Sequence, residues 1–135
     1  MAEDKYFLDT TAIIDYLNGR EHVVLLVKDL AYHGYTLGCC CINITELYGG
    51  LREKERRAAS KLVESLEYFE VNLEIARRAG EYQHKYARKG KTLATSDVII
   101  AATAIANKAI LLTANSSHYP MPELKLQALH TRPKS

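Results

Sequence analysis

The chain has 135 residues, of which 47% are hydrophobic and 25% are charged, and its formal net charge is +2. This composition is that of an ordinary globular protein, and the length suffices for one domain with its own core. A net charge this small does not by itself indicate a nucleic-acid-binding protein, and the sequence contains neither a secretory signal nor a membrane-length apolar run, so we expect a cytoplasmic protein.

Short apolar runs alternate with helical periodicities along the chain. In chain order we predict a strand at 6–8, helices at 11–18 and 23–32, a strand at 35–41, helices at 43–50 and 52–66, a strand at 68–71, helices at 74–88 and 97–108, a strand at 110–112 and an edge strand at 126–129. This alternation predicts a three-layer α/β fold, in which a mainly parallel central sheet of four or five strands carries helices on both faces. We expect a single domain at 1–130 and a disordered tail at 131–135.

Three acidic residues, Asp9, Glu46 and Asp97, lie at the starts of predicted helices. Asp9 and Glu46 each follow a predicted strand, and Asp97 begins the most apolar helix of the chain. Because the carboxyl ends of parallel strands meet at one crevice, we expect the three carboxylates to converge there. Oxygen ligands suit a hard divalent cation such as Mg²⁺ or Mn²⁺. The pattern therefore favours metal-assisted hydrolysis of a phosphodiester.

Each acid also has a purely structural explanation. Asn43 and Glu46 have the spacing of a capping box, with Asn43 as the cap. Asp97 lies in a first helical turn, where a carboxylate favours the helix dipole, and Asp9 fits turn chemistry before a helix that Thr11 could cap. Joint placement favours function, because carboxylates within about 5 Å of each other repel by about 1 kcal/mol per pair in water, and by several at an effective dielectric constant of about 20.

The segment 77–91 is strongly basic, with six basic residues against one acidic residue, Glu81. Such a segment can follow a phosphate backbone, although charge that is simply solvated on a helix is the commoner explanation. The candidates for backbone contact are Arg77, Arg78, Lys85, Arg88, Lys89 and Lys91. Tyr82 and Tyr86, in the same segment, recur at helical spacing and are better explained by core packing.

Three consecutive cysteines, Cys39, Cys40 and Cys41, lie inside the predicted strand at 35–41. Neighbours in a strand point to opposite faces, so three in a row cannot form a compact zinc site. An odd count without spacing argues against a disulfide framework. We interpret them as small apolar residues of a buried strand.

Four motifs follow one another along the chain, at 7–11, 44–50, 97–104 and 112–115. Together they resemble a PIN domain, and among PIN domains they are most similar to the VapC toxins of bacterial and archaeal toxin–antitoxin pairs. The resemblance implies a small Rossmann-like fold and an endoribonuclease that depends on Mg²⁺ or Mn²⁺. It makes Asp9, Glu46 and Asp97 metal-binding catalytic acids.

The resemblance also implies supporting residues and partners. Thr113 and Asn115 fall on a Thr-x-Asn motif near the site, and Thr10 falls at the small hydroxyl position after the first aspartate. The implied partners are an RNA substrate, a cognate VapB-like antitoxin and a second copy of the chain in a homodimer.

One departure from the family pattern concerns the metal. Many members carry a fourth acid in or just after the Thr-x-Asn segment, but 115–119 contains no carboxylate. Asn115, His118 or a water are the alternatives for that position, so the sequence leaves one or two metal ions open. A histidine in this setting is more often a loop residue than a ligand.

Two other functions remain as alternatives. The missing fourth acid favours a catalytically weak or inactive PIN-like module that only binds RNA or protein. A receiver-type phosphotransfer domain also gathers acids at strand ends, but it needs paired acids after the first strand and a lysine late in the sheet. Here Asp9 stands alone and the late strand ends in Thr113.

Overall fold

The protein is represented by a computed structural model that describes residues 4–129, so the tail expected at 131–135 lies outside the described residues. The elements are β1 (Lys5–Leu8), α1 (Thr10–Leu17), α2 (Glu21–Tyr32), β2 (Thr36–Cys39), α3 (Cys41–Gly49), α4 (Arg56–Ser65), β3 (Glu67–Tyr68), α5 (Leu73–Ala87), α6 (Thr95–Ala106), β4 (Ala109–Thr113) and β5 (Leu126–Ala128). Two short 3-10 turns, Glu53–Glu55 and Ser116–His118, precede α4 and follow β4.

The five strands form one parallel sheet in the order β3-β2-β1-β4-β5, which confirms the predicted α/β architecture. Phe7 in β1 lies opposite Gly38 in β2 on one side and Leu111 in β4 on the other. The strand order reverses between β1 and β4. In an open parallel sheet such a switch point opens a crevice at the carboxyl ends of the strands, where ligands bind.

Helices cover both faces of this sheet, as predicted. Successive strand residues point to opposite faces, so Phe7 and Leu111 face α5 and α6, whereas Leu8 and Leu112 face the layer formed by α1 to α4. The helix that is apolar on all sides, α6, is buried as its pattern predicts. Its buried residues are Val98, Ile100, Ala101, Ala102, Thr103 and Ala104.

The cysteine segment differs from its predicted structure. The strand ends at Cys39, Cys40 caps the following helix and Cys41 begins it, so the expected single strand at 35–41 is wrong. The strand ends early because the Asn43 side chain accepts the Cys40 amide proton at 2.9 Å and starts α3 there. Burial raises the pKa of Cys39 to about 12 and that of Cys40 to about 11. Both thiols therefore remain protonated and act as small apolar groups.

The predicted helix at 52–66 is also wrong at its start. A 3-10 turn, Glu53–Glu55, precedes α4 because Glu55 turns back to Arg52, accepting its backbone proton at 2.8 Å and contacting its guanidinium at 2.9 Å. The α-helix begins only at Arg56. No helix within residues 4–129 combines the length and apolar character that a membrane crossing requires.

Candidate active site

Asp9 occupies the switch point of the sheet, directly after β1. Its backbone amide donates to the Leu112 carbonyl of β4 at 3.0 Å, and its side chain is buried, with 5% of the residue exposed. Asp9 also caps α1, because its Oδ1 accepts the Thr10 amide proton at 2.7 Å. The prediction that Thr11 caps this helix is therefore wrong. The Thr11 hydroxyl instead accepts the Ala114 amide proton at 3.1 Å.

Glu46 reaches the same crevice from α3. The expected capping box from Asn43 to Glu46 is wrong, because the box lies three residues earlier, between Cys40 and Asn43. Glu46 therefore lies one turn inside the helix, where its exposed carboxylate accepts a hydrogen bond from the Thr10 hydroxyl at 2.6 Å. The fully buried Asn43 donates to the same hydroxyl at 3.1 Å and so directs it toward Glu46.

Asp97 approaches from the first turn of α6, with 20% of its side chain exposed. Two residues of the segment after β4, Tyr119 and His118, contact it, and Tyr119 connects it to Asp9. The buried Tyr119 hydroxyl donates to Asp9 Oδ2 at 3.0 Å and lies 3.5 Å from Asp97 Oδ1. His118 Nδ1 lies 3.4 Å from the other oxygen, Asp97 Oδ2.

The acids thus belong to one network of polar contacts, and the structure brings all three predicted acids to it. The network runs from Glu46 through Thr10, Asp9, Tyr119 and Asp97 to His118. The Tyr119 hydroxyl contacts both Asp9 and Asp97, whereas Thr10 contacts Asp9 through its amide and Glu46 through its hydroxyl. This arrangement concentrates negative charge at the crevice while keeping most of it hydrogen-bonded.

Electrostatics at the crevice reflect that concentration. Burial raises the pKa of Asp97; the nearby His118 opposes this shift, and the negative charges of Asp9 and Glu46 add to it. Burial, together with the charges of Asp9 and Asp97, also raises the pKa of Tyr119 far above its ordinary value. Tyr119 therefore stays protonated and acts as a hydrogen-bond donor.

The predicted supporting residues differ in their placement. Thr113, at the end of β4, is fully buried and donates to Asp9 Oδ2 at 2.6 Å. Asn115 lies next to this contact, because its backbone amide donates to the Thr113 hydroxyl at 2.9 Å, while the residue itself is exposed. Thr10 connects Asp9 to Glu46, as described above.

Sequence reasoning missed Tyr119 and the second role of Asn43. Tyr119 contacts acids 110 and 22 residues away, and no local periodicity reports such contacts. Its position after the Thr-x-Asn segment was the only available signal. The capping propensity of Asn43 was visible, but its donation to Thr10 depends on how α1 and α3 pack together.

The donor chemistry of the crevice fits a hard divalent cation. Within residues 4–129, no three histidine, cysteine, aspartate or glutamate side chains already stand around one common point as metal ligands. The carboxylates are instead spaced by the Thr10 and Tyr119 hydroxyls. Asp9, Glu46 and Asp97 would hold the ion, and Glu46 and Asp97 are the two more exposed of these acids. Their oxygen donors and the crowded negative charge suit Mg²⁺ or Mn²⁺.

The six basic candidates are all exposed, along α5 and just after it. The ammonium groups of Lys85 and Lys89 lie 5.7 and 5.5 Å from the Tyr86 ring centroid. Tyr86 is buried, as is Tyr82, which confirms core packing for both. The Tyr86 hydroxyl donates to the Pro120 carbonyl at 3.3 Å, so α5 is anchored to the loop that carries Tyr119.

A groove of about 410 Å³ adjoins the acidic network, and Glu46 forms part of its wall. Apolar side chains of α1 and α3 line much of it, and Ile14 remains 41% exposed there. The lining residues are Ile14, Leu17, Asn18, Glu46, Leu47, Gly50, Leu51, Lys54, Glu55 and Ala58.

Comparison with known proteins gives concordant results. The model of the PIN domain family matches residues 6–124. The chain is 33% identical over 119 residues to Ribonuclease VapC19 of Mycobacterium tuberculosis, covering 87% of this chain and 95% of the relative. It is also 33% identical over 120 residues to Ribonuclease VapC10 of the same organism, covering 86% of each.

Solved structures share the fold. VapBC2 from Rickettsia felis, solved bound to a DNA fragment from its promoter, contains a chain with a TM-score of 0.83 and 24% identity, covering 93% of this chain and 99% of that one. VapBC-1 from nontypeable Haemophilus influenzae gives a TM-score of 0.78 and 24% identity, covering 92% of this chain and 97% of that one.

Proposed function

The chain belongs to the PIN domain family, and from this premise we propose that it is a metal-dependent endoribonuclease, the toxin of a VapBC-type toxin–antitoxin pair. The observation that carries the proposal is the network joining Asp9, Glu46 and Asp97 at the switch point of the sheet. The names of the relatives, Ribonuclease VapC19 and Ribonuclease VapC10, support RNA as the substrate class.

In this proposal, Asp9, Glu46 and Asp97 are the catalytic acids and would hold Mg²⁺ or Mn²⁺. The ion, when bound, supplies an activated water and neutralises charge that develops on the phosphate. The protein's contribution is to gather three carboxylates from separate elements, which no single helix or strand could present together.

The surrounding hydroxyls orient these acids. Thr113 and Tyr119 both donate to Asp9 Oδ2, while the Thr10 amide occupies Oδ1, so the carboxylate plane is fixed. Glu46 has a single hydroxyl partner and is exposed, so it can adapt to a ligand. A rigid acid beside adaptable ones suits a site that binds its ion reversibly.

RNA would approach across the basic segment of α5. Arg77, Arg78, Lys85, Arg88, Lys89 and Lys91 present exposed positive charge for a phosphate backbone. The hydrogen bond from Tyr86 to Pro120 fixes this helix relative to the loop carrying Tyr119. The basic residues that contact the RNA backbone and the site that receives the scissile phosphate would therefore keep a constant relative position.

A VapB-like antitoxin would occupy the groove beside Glu46. Apolar side chains of α1 and α3 line the groove together with the carboxylates of Glu46 and Glu55, which suits a segment that carries both apolar and basic side chains. The similar solved structures are VapBC complexes, which supports this class of partner. We propose further that residues 1–130 form a single domain and that the chain is a homodimer, which light scattering of the purified protein would test.

The deciding experiment compares cleavage of a structured RNA by the wild-type protein and by an Asp9→Asn variant, with Mn²⁺ or Mg²⁺ present. We expect the variant to lose at least about a hundredfold in rate, because Asp9 is held by three donors at the centre of the site. Asp29→Asn, on the exposed face of α2, is the matched control and should cleave normally.

Two outcomes would contradict the proposal. Cleavage by Asp9→Asn at the wild-type rate would remove the catalytic assignment. Metal-independent RNA binding by the wild-type protein without any cleavage would instead favour the inactive PIN-like module.

A further inference from the structure

The loop after β4 places a nitrogen donor at the edge of the acidic network. Asp97 divides its two oxygens between neighbours: Oδ1 lies 3.5 Å from the Tyr119 hydroxyl, and Oδ2 lies 3.4 Å from His118 Nδ1. The imidazole is thus the neighbour of Asp97 on the side away from Tyr119. About half of the His118 side chain (51%) is exposed, so solvent reaches the ring while it contacts Asp97.

We propose that His118 is a metal ligand alongside Asp97 and that it makes this site favour Mn²⁺ over Mg²⁺. This inference rests on the proposed function, because it assigns a further ligand to the ion of that same site. It replaces the sequence-based interpretation of His118 as an ordinary loop residue.

The spacing of the two atoms agrees with shared coordination. Two neighbouring donors that are each about 2.1 Å from one octahedral ion, at an angle of 90°, lie about 3.0 Å apart. The separation of 3.4 Å between His118 Nδ1 and Asp97 Oδ2 is slightly longer than this value. Little movement of either side chain would be needed to admit an ion between them.

The backbone around His118 is held in place, so this spacing does not depend on a free loop. The His118 amide donates to the Asn115 carbonyl at 3.0 Å, and the Tyr119 amide donates to the Ser116 carbonyl at 3.1 Å. Tyr119 is only 6% exposed, and the following residue, Pro120, accepts the Tyr86 hydroxyl. A preset ligand position loses little conformational entropy when the ion binds.

Replacing a carboxylate by an imidazole changes which ion the site favours. Mg²⁺ is a hard cation held mainly by oxygen ligands and water, whereas Mn²⁺ begins the transition-metal series, whose members accept nitrogen ligands with an affinity that rises toward Cu²⁺. The nitrogen donor therefore shifts selectivity toward Mn²⁺.

Pulsed electron paramagnetic resonance of Mn²⁺ bound to the full-length protein tests this assignment directly, since a ligating nitrogen produces hyperfine coupling to the ion. We expect ¹⁴N coupling in the wild-type protein, conversion to ¹⁵N coupling after histidine-selective ¹⁵N labelling, and loss of the coupling in His118→Gln. His22→Gln, on the exposed surface of α2, is the matched control and should retain the coupling.

Calorimetric titration with Mn²⁺ and Mg²⁺ gives the second readout. In His118→Asp, which restores an acid, the ratio of Mn²⁺ to Mg²⁺ affinity should fall about tenfold relative to the wild-type protein. Bound Mn²⁺ without histidine coupling, or an unchanged affinity ratio in His118→Asp, would overturn the inference and leave the proposed nuclease intact. A wild-type protein that binds no Mn²⁺ at all would overturn both.

Discussion

Hydroxyl groups of single residues connect the carboxylates of the acidic network. Asp9 and Asp97 share the Tyr119 hydroxyl, and Asp9 and Glu46 are connected through Thr10. A hydrogen bond to a charged acceptor is worth about 1.5–3 kcal/mol, which is comparable to the repulsion between two partly buried carboxylates. The donors therefore offset much of the cost of assembling like charges before any cation arrives.

Removing the shared hydroxyl should weaken both stability and function. In Tyr119→Phe, Asp9 Oδ2 keeps only its Thr113 donor, so we expect the free energy of unfolding to fall by about 1–3 kcal/mol and Mn²⁺ affinity to fall about tenfold. Urea denaturation and calorimetry measure the two effects. Tyr82→Phe is the matched control: Tyr82 is also 6% exposed, and the charged side chains that act on its hydroxyl are Glu123 and Arg78, which do not belong to the acidic network. An equal loss in both variants would contradict a specific role for Tyr119.

The position of a site residue could be predicted from the sequence where the end of a single strand determines it. Asp9 follows a strand that is apolar up to its last residue, so its place at the carboxyl edge is readable from the sequence. Tyr119 was not predictable, because its contacts span a loop and depend on tertiary packing. Whether the three acids catalyse a reaction stays a prediction, since geometry alone does not establish it.

At the level of elements, the start of α3 determines how Glu46 is used. The Asn43 side chain accepts the Cys40 amide proton and donates to Thr10, so one residue both caps α3 and joins it to α1. Had the capping box begun at Asn43 as predicted, Glu46 would bond to the backbone and would not face Thr10. The position of one helix terminus thus separates a structural glutamate from a candidate catalytic one.

Replacing this cap should affect stability and RNA cleavage together. In Asn43→Ala, the buried Cys40 amide loses its acceptor and Thr10 loses a donor, so we expect a loss of about 1–3 kcal/mol in unfolding free energy and a cleavage rate reduced at a temperature where the variant is folded. Asn72→Ala is the matched control, because the Asn72 side chain also accepts a backbone amide proton at a helix start: as the N-cap of α5 it accepts the Ile75 amide proton at 2.9 Å. It should lose about 1 kcal/mol of stability and cleave RNA normally. Normal cleavage by folded Asn43→Ala would contradict the coupling of α3 to the site.

The sequence predicted the type of each helix and strand well, but it predicted their first and last residues less well. Apolar patterns identified β1, β4 and the buried helix α6, because burial on one face or all faces leaves a direct pattern in the sequence. The strand predicted at 68–71 shares only Tyr68 with the exposed strand β3. The ends of β2 and α4 were misplaced, because side chains of Asn43 and Glu55 satisfy backbone groups that no periodicity reports. The parallel direction of the sheet followed from the strand–helix alternation.

Repulsion among the carboxylates of the crevice destabilises the folded state of the whole molecule. If a cation neutralises this repulsion, it binds the folded protein and not the unfolded chain. Mn²⁺ at about 100 times its Kd should then stabilise the protein by about 2.7 kcal/mol, a rise of several degrees in Tm. Asp29→Asn should show the same shift and Asp9→Asn a much smaller one, in thermal unfolding monitored by circular dichroism. No shift in the wild-type protein would count against a shared metal site.

The hydrogen bond between Thr113 and Asp9 joins residues 104 positions apart. During synthesis on the ribosome, Asp9 emerges long before the strand that must support it, and at about 5–20 residues per second the wait lasts about 5–20 s. A nascent chain that ends before Thr113 therefore contains Asp9 but lacks the strand whose side chain fixes the Asp9 carboxylate. The polypeptide therefore cannot complete its acidic crevice until the ribosome has synthesised the chain as far as Thr113.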